Sequence, residues 1–328
     1  MNIIKTRFKE FFSLWRNYGF IFAFYNLLWW ICFYIQPPYC NQISTFAINK
    51  KTEWLEKYFN RNYNDIIEKH KENVTVKVTA NKVCIWVFWG QGEVHMPPLV
   101  KACYRQLTHY NRNVTLVTLE NIKDFIELPG IIYEKANTGK ISWAHFSDIV
   151  RNTLLAKYGG LWLDATVWVS GEIPFGKLSQ VEIFSANGKT PATSRSTRFW
   201  TSFEYNWSTW CMWSKHANNI LYSFVSEILI AVAEREKQWP DYVIQDYFIY
   251  YAYNNIPGVK EMLEQSKTIS CNNRNELANI MNNEFNTNQY KELTKADFVF
   301  KLSYRTKWHM TTKEGKQTFY GRILKDFI

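Results

Sequence analysis

The chain has 328 residues, 47% apolar and 18% aromatic, with 39 Lys and Arg against 29 Asp and Glu for a formal charge of +10. That much apolar sequence buries one large core or two modest ones, so neither a disulfide framework nor a structural metal is needed for folding, and the six cysteines, with no CxxC pair and no His at zinc-ligand spacing, read as buried thiols of a reducing compartment. The basic excess comes without any RNP, KH or zinc-finger signature, which argues against nucleic acid and suits an anionic membrane surface and an anionic small molecule.

At the N-terminus, MNIIKTRFKEFFSLWR places Ile4, Phe8, Phe11, Phe12 and Trp15 at helical spacing among Lys5, Arg7, Lys9 and Arg16, the pattern of an interfacial helix. The apolar run YGFIFAFYNLLWWICFYIQ follows, interrupted mainly by Asn26 and stopped by Pro37 and Pro38. Its density of Trp and Tyr favours the headgroup level, and basic residues on both flanks leave the orientation undecided. Residues 1–40 are therefore expected to associate with the cytoplasmic face of a membrane by peripheral or shallow monotopic insertion, with a span and a core helix as the alternatives. No small-x-small site follows the run, which counts against a cleaved signal peptide. Sequons at Asn73, Asn113 and Asn206 arise by chance in an Asn-rich chain.

Residues 41–328 alternate helix and strand patterns. Leu55, Tyr58, Phe59, Ile66 and Ile67 mark one side of a helical segment, residues 82–89 read as a strand, and a helix opens near Pro97 and Pro98. VTLVTL at 114–119 is the second strand; the helix carrying Asp148 and Arg151 and the apolar strand carrying Asp164 come next. This βαβαβ layout predicts a mostly parallel sheet with its site at the carboxyl ends of the strands. Trp89 and Asp164 both fall at such ends, so they are expected to share one crevice. Downstream, the polar, Trp-rich stretch at 185–214 has no clear period and reads as packing or as an aromatic binding surface. HANNILYSFVSEILIAVAERE and DYVIQDYFIYYAY read as helices, the second with Asp246 near its start. With no repeat or flexible linker, a single domain with helical decoration is expected.

The stretch SDIVRNTLLAKYGGLWLDAT at 147–166 carries the chemistry. Asp148 and Arg151 share a helix face at i,i+3 spacing, which alone makes a solvated ion pair worth a few tenths of a kcal/mol. Gly159 and Gly160 suit a helix C-cap. Neither reading accounts for Asp164, because an unpaired carboxylate inside a buried apolar strand costs several kcal/mol.

Here the sequence resembles the glycosyltransferases that share a sugar-binding region containing a DxD motif, among them bacterial capsular polysaccharide synthesis proteins; the glucosylating domains of large clostridial toxins are similar at a greater distance. The match runs over Ser147, Asp148, Arg151, Gly159, Gly160, Trp162 and Asp164, but Thr166 stands where the second acid of Asp-x-Asp is expected. VCIWVFWGQG, with Trp89 and Gly90, matches the first strand, and VFKLSYRTKW, with Lys301 and Ser303, is a weaker echo. The resemblance implies a GT-A-like α/β domain that moves a sugar, with retention, from a nucleotide-sugar donor of UDP-sugar type to a glycan or lipid-linked acceptor in capsular or surface polysaccharide synthesis. It also implies roles: Trp89 on the base, Asp164 on the ribose and donor sugar, Asp148 and Arg151 on sugar hydroxyls, Lys301 and Ser303 at the diphosphate. Gly90, Gly160, Trp162 and Thr166 complete the donor-binding set. A Mg²⁺ or Mn²⁺ ion weakly held by Asp164 and the donor is expected, with basic side chains such as Lys301 as the alternative source of positive charge. The missing acid leaves one other class open, a catalytically silent sugar-nucleotide or membrane-binding protein on the same fold.

Overall fold

The structure, a computed structural model, describes residues 2–35, 39–72, 78–79, 83–188 and 207–327. Pro37, Pro38, the sequons at Asn73 and Asn206 and most of the Trp-rich stretch at 185–214 lie outside the described residues.

The centre is a five-stranded sheet in the spatial order Val114–Val117, Ile85–Phe88, Gly160–Leu163, Cys211–Ser214, Ile183–Ser185. The first three strands are parallel, as the βαβαβ pattern predicts, and Cys211–Ser214 runs antiparallel to both its neighbours. Burial of Ile85, Trp86, Val87 and of the whole Gly160–Leu163 strand explains why these segments are apolar on both faces: helices cover the sheet from either side. One of them, Pro98–Tyr110, starts with Pro in its first turn, where the missing N–H costs nothing.

The helix Trp143–Tyr158 delivers the chain to the central strand. Ser142 caps it by accepting from the His145 N–H at 3.2 Å. It ends on Gly159 (φ +67°), and Gly160 (φ +90°) starts the strand, so close to its neighbour that a Cβ there would stand 2.4 Å from the Cys84 carbonyl oxygen. One glycine ends the helix and the other lets two backbones meet.

The apolar run LWLDATVWV forms two strands, the first ending just before Asp164 as expected. Gly160–Leu163 belongs to the central sheet, whereas Val167–Val169 leaves it and pairs antiparallel with Val299–Lys301 in a separate two-stranded ladder. Asp164 sits at the break, its N–H donating to the Trp210 carbonyl at 2.8 Å and its own carbonyl accepting from the Val167 N–H at 2.9 Å. Both halves are fully buried, so the apolar pattern does not reveal that they belong to different sheets.

The N-terminal run folds onto the domain. Helices Asn2–Tyr18, Phe20–Tyr34 and Cys40–Asn62 pack in succession, and Leu14, Tyr18, Phe22 and Ala23 join the core that contains Leu55 and Phe59. Across the boundary expected at residue 40, Lys51 donates to Asn26 at 2.9 Å and the Tyr18 hydroxyl donates to the Gln238 carbonyl. The inner face of the run is thus core. Among the described residues no helix is long and apolar enough to cross a membrane.

Candidate active site

At the carboxyl ends of the parallel strands lies a cavity of about 610 Å³, a size suited to a nucleotide-scale ligand. Trp89, Gly90, Arg151, Trp162, Asp164, Thr166, Lys301 and Ser303 all line it. The crevice expected from the two strand ends therefore exists, and Trp89 and Asp164 share it.

Asp164 is the hub. Its Oδ1 accepts from Trp162 Nε1 at 3.0 Å and from Arg151 Nη2 at 3.3 Å, and its Oδ2 accepts from Lys301 Nζ at 2.6 Å. Burial works to raise this carboxyl, but the charges of Lys301 and Arg151 outweigh it and hold the group at about 2. Asp164 is ionised at any physiological pH. Lys301 also donates to Thr166 Oγ1 at 3.0 Å. Its position is set by the backbone, because Val167 and Lys301 are register partners in the short ladder.

Arg151 is fixed from four sides. Besides Asp164 it reaches the Thr209 carbonyl at 2.8 Å, Ser147 Oγ at 3.3 Å and Asp148 Oδ1 at 3.3 Å, with its guanidinium 5.3 Å from the Trp162 ring centre. Its Nε finds no hydrogen-bond partner among the described residues, and neither does the buried Nε1 of Trp89.

Two of the expected donor contacts stand elsewhere. Asp148 does not line the cavity; it lies behind Arg151, and burial lifts its carboxyl to about 7 against the pull of Arg151, with the Asp164 charge adding to the rise. The i,i+3 spacing correctly put the two on one helix face, but only Arg151 is long enough to reach past the helix to the strand end. Gly160 is also absent from the lining, and its role is the close approach to Cys84.

Other lining residues carried weaker signals. Arg305 follows Ser303 by two positions inside the C-terminal echo and adds a third cation, and Tyr304 meets Trp89 edge to face at 5.7 Å. Trp143 precedes Ser147 by one helical turn, whereas Tyr242 had no sequence signal at all. The cavity is lined by three cations, Arg151, Lys301 and Arg305, and one carboxylate, Asp164, a balance that favours an anion.

The same donor set does not fit a divalent ion. Both oxygens of Asp164 are engaged by cations, Thr166 offers a neutral hydroxyl already accepting from Lys301, and among the described residues no three His, Cys, Asp or Glu side chains gather to hold a metal. Mg²⁺ and Mn²⁺ call for several anionic or neutral oxygens with lone pairs to spare.

The sequence profile of the capsular polysaccharide synthesis proteins matches residues 38–323. The chain belongs to that family. This capsular polysaccharide synthesis protein is also 32% identical over 103 residues, 27% of its own length, to the O-glycosyltransferase PaGT of Phomopsis amygdali. It spans about a quarter of that relative, 25% of its length. The family match covers every element that lines the cavity, from the strand Ile85–Phe88 to the ladder strand Val299–Lys301.

Proposed function

We propose that this family member is a glycosyltransferase that moves a sugar, with retention, from a nucleotide-sugar donor of UDP-sugar type to a glycan or lipid-linked acceptor in capsular or surface polysaccharide synthesis. The observation that carries the reading is the cavity itself: three cations, one ionised carboxylate and the Trp89 indole, gathered at the strand ends. A diphosphate leaving group gains negative charge as its bond to the sugar breaks, and fixed cations in a half-buried site stabilise that charge without reorganising. In this reading Trp89 stacks on the base, Arg151 and Asp164 contact the ribose and sugar, and Lys301, Ser303 and Arg305 face the diphosphate. Asp148 acts through Arg151, as a positioning residue. The test is incubation with a panel of nucleotide sugars and detection of released nucleoside diphosphate. Release from one donor, stimulated by an acceptor glycan, is expected. Tight donor binding without release from any of them would establish instead a silent sugar-nucleotide-binding protein.

The same proposal puts the enzyme on an anionic membrane, and a separate observation supports it. Phe12, Trp15, Phe20 and Phe24 are exposed, and their rings touch in sequence at centroid distances of 6.1, 5.3 and 5.9 Å. Tyr25 then links Phe24 to the exposed Phe46 on the third helix, at 5.6 and 5.8 Å. Over residues 1–50 the one acid is Glu10, against Lys5, Arg7, Lys9, Arg16 and Lys50. A ribbon of rings within a basic segment fits the headgroup level of an anionic leaflet, where lipid-linked acceptors reside.

A further inference from the structure

Thr166 and Asp164 face one ammonium. Lys301 Nζ lies 2.6 Å from Asp164 Oδ2 and 3.0 Å from Thr166 Oγ1, with the Trp210 ring centre 5.8 Å away. The backbone holds Lys301 beside the site, because the ladder pairs Lys301 with Val167 and the Leu302 N–H donates to the Thr166 carbonyl at 3.1 Å. An ammonium has three N–H donors. Two serve Asp164 and Thr166, which leaves one for the cavity that Lys301 lines.

The charge arithmetic is informative. One carboxylate and one ammonium sum to zero, as do two carboxylates and a divalent cation, so an incoming diphosphate meets the same net charge in either arrangement. A divalent ion at Asp164 would have to displace Lys301 from Oδ2, and the displaced ammonium, anchored by its strand, would remain within a few Å of the ion. Like charges so close repel, which opposes a divalent ion at this carboxylate.

We propose that Lys301 is the cation that meets the donor diphosphate in this chain, and that transfer proceeds without a divalent ion. This rests on the nucleotide-sugar reading above. The bond between the anomeric carbon and the diphosphate oxygen breaks with its electron pair on that oxygen. The acceptor hydroxyl oxygen bonds the anomeric carbon, and the hydroxyl proton passes to the departing diphosphate. Lys301 keeps its own proton and stabilises the leaving oxygen by charge and hydrogen bond.

The experiment is calorimetric titration of the full chain with UDP, GDP, ADP and TDP, once in excess EDTA and once in Mn²⁺. The expected result is one preferred nucleotide whose Kd agrees between the two arms within about threefold, and a loss of about tenfold to hundredfold in EDTA for Lys301→Met, with Lys301→Arg retaining most of the affinity. Turnover of the matching donor sugar should survive exhaustive chelation. Binding in the Mn²⁺ arm alone overturns the inference and leaves the donor reading standing. Binding in neither arm overturns the donor reading and this inference with it. If Lys301→Met fails to fold, the two wild-type titrations still decide.

Discussion

Asp148→Asn is expected to stabilise the protein above neutral pH, although it removes an ion pair. Burial lifts the Asp148 carboxyl from 3.8 to about 7 despite the neighbouring Arg151, so between those values the folded chain holds a proton that the unfolded chain has released. Stability from this site therefore falls as pH rises through that window, and above it the folded state carries the whole cost of an ionised, nearly buried carboxylate. A displacement of this size corresponds to on the order of 4 kcal/mol. Asparagine has the same shape and does not ionise, and Arg151 keeps both Asp164 and the Thr209 carbonyl. Urea unfolding of wild type and variant at about pH 5 and about pH 8 checks it: the advantage of the variant should widen by on the order of 2 kcal/mol between the two. Taking the difference between the proteins cancels the histidines that titrate over the same range. A variant that tracks wild type at both pH values, or is weaker at pH 8, would mean that Arg151 outweighs burial, and the account of Asp148 would fail.

Asp164→Asn should abolish transfer while the protein still melts cooperatively; retention of more than about a tenth of wild-type turnover, a loss below about 1.4 kcal/mol, would remove Asp164 from the mechanism. The stability that the Asp164 carboxylate contributes is present above 3.8 and is lost as pH falls from there through about 2, so the acid limb of the wild-type unfolding curve should flatten in the same variant. Gly160→Ala places a Cβ against the Cys84 carbonyl at a positive φ, and a loss of at least about 2 kcal/mol is expected in thermal or urea unfolding; a fully stable variant would contradict the described approach of the two strands. Deleting residues 1–36 would strip Leu14, Tyr18 and Phe22 from the core, so the membrane proposal is better tested by replacing the outward rings of Phe12, Trp15 and Phe24 with Ser. Flotation with anionic vesicles should fall by about tenfold or more with melting temperature unchanged, and undiminished flotation would refute the surface.

The site was legible where two local rules overlapped. A carboxylate inside an apolar run at the end of a strand is expensive unless it is used, and that singled out Asp164; helical spacing then brought in Arg151. The same rules could not say that Asp148 stands behind Arg151, because i,i+3 spacing gives a common face and not the order in which two side chains reach a cavity. The move of Val167–Val169 to a second sheet was hidden because Leu161, Leu163, Val167 and Val169 are all buried, and burial on both faces erases the alternation that would have revealed two sheets. The antiparallel strand Cys211–Ser214 was missed in a polar, Trp-rich segment whose composition follows its loop neighbours. Lys301 was visible only through resemblance, since nothing within its own segment announces that a partner lies far upstream.

Asp164 and Lys301 lie 137 positions apart in the chain, and the ladder that joins them closes with residues 299–301. Synthesis runs from the N-terminus, so the carboxylate and Arg151 emerge long before the ammonium that balances them, and during that interval Thr166 has no cation to meet. In the donor reading, a chain cut short of residue 299 lacks the ammonium of its site, and a nucleotide ligand stabilises by mass action only those molecules in which the ladder has formed.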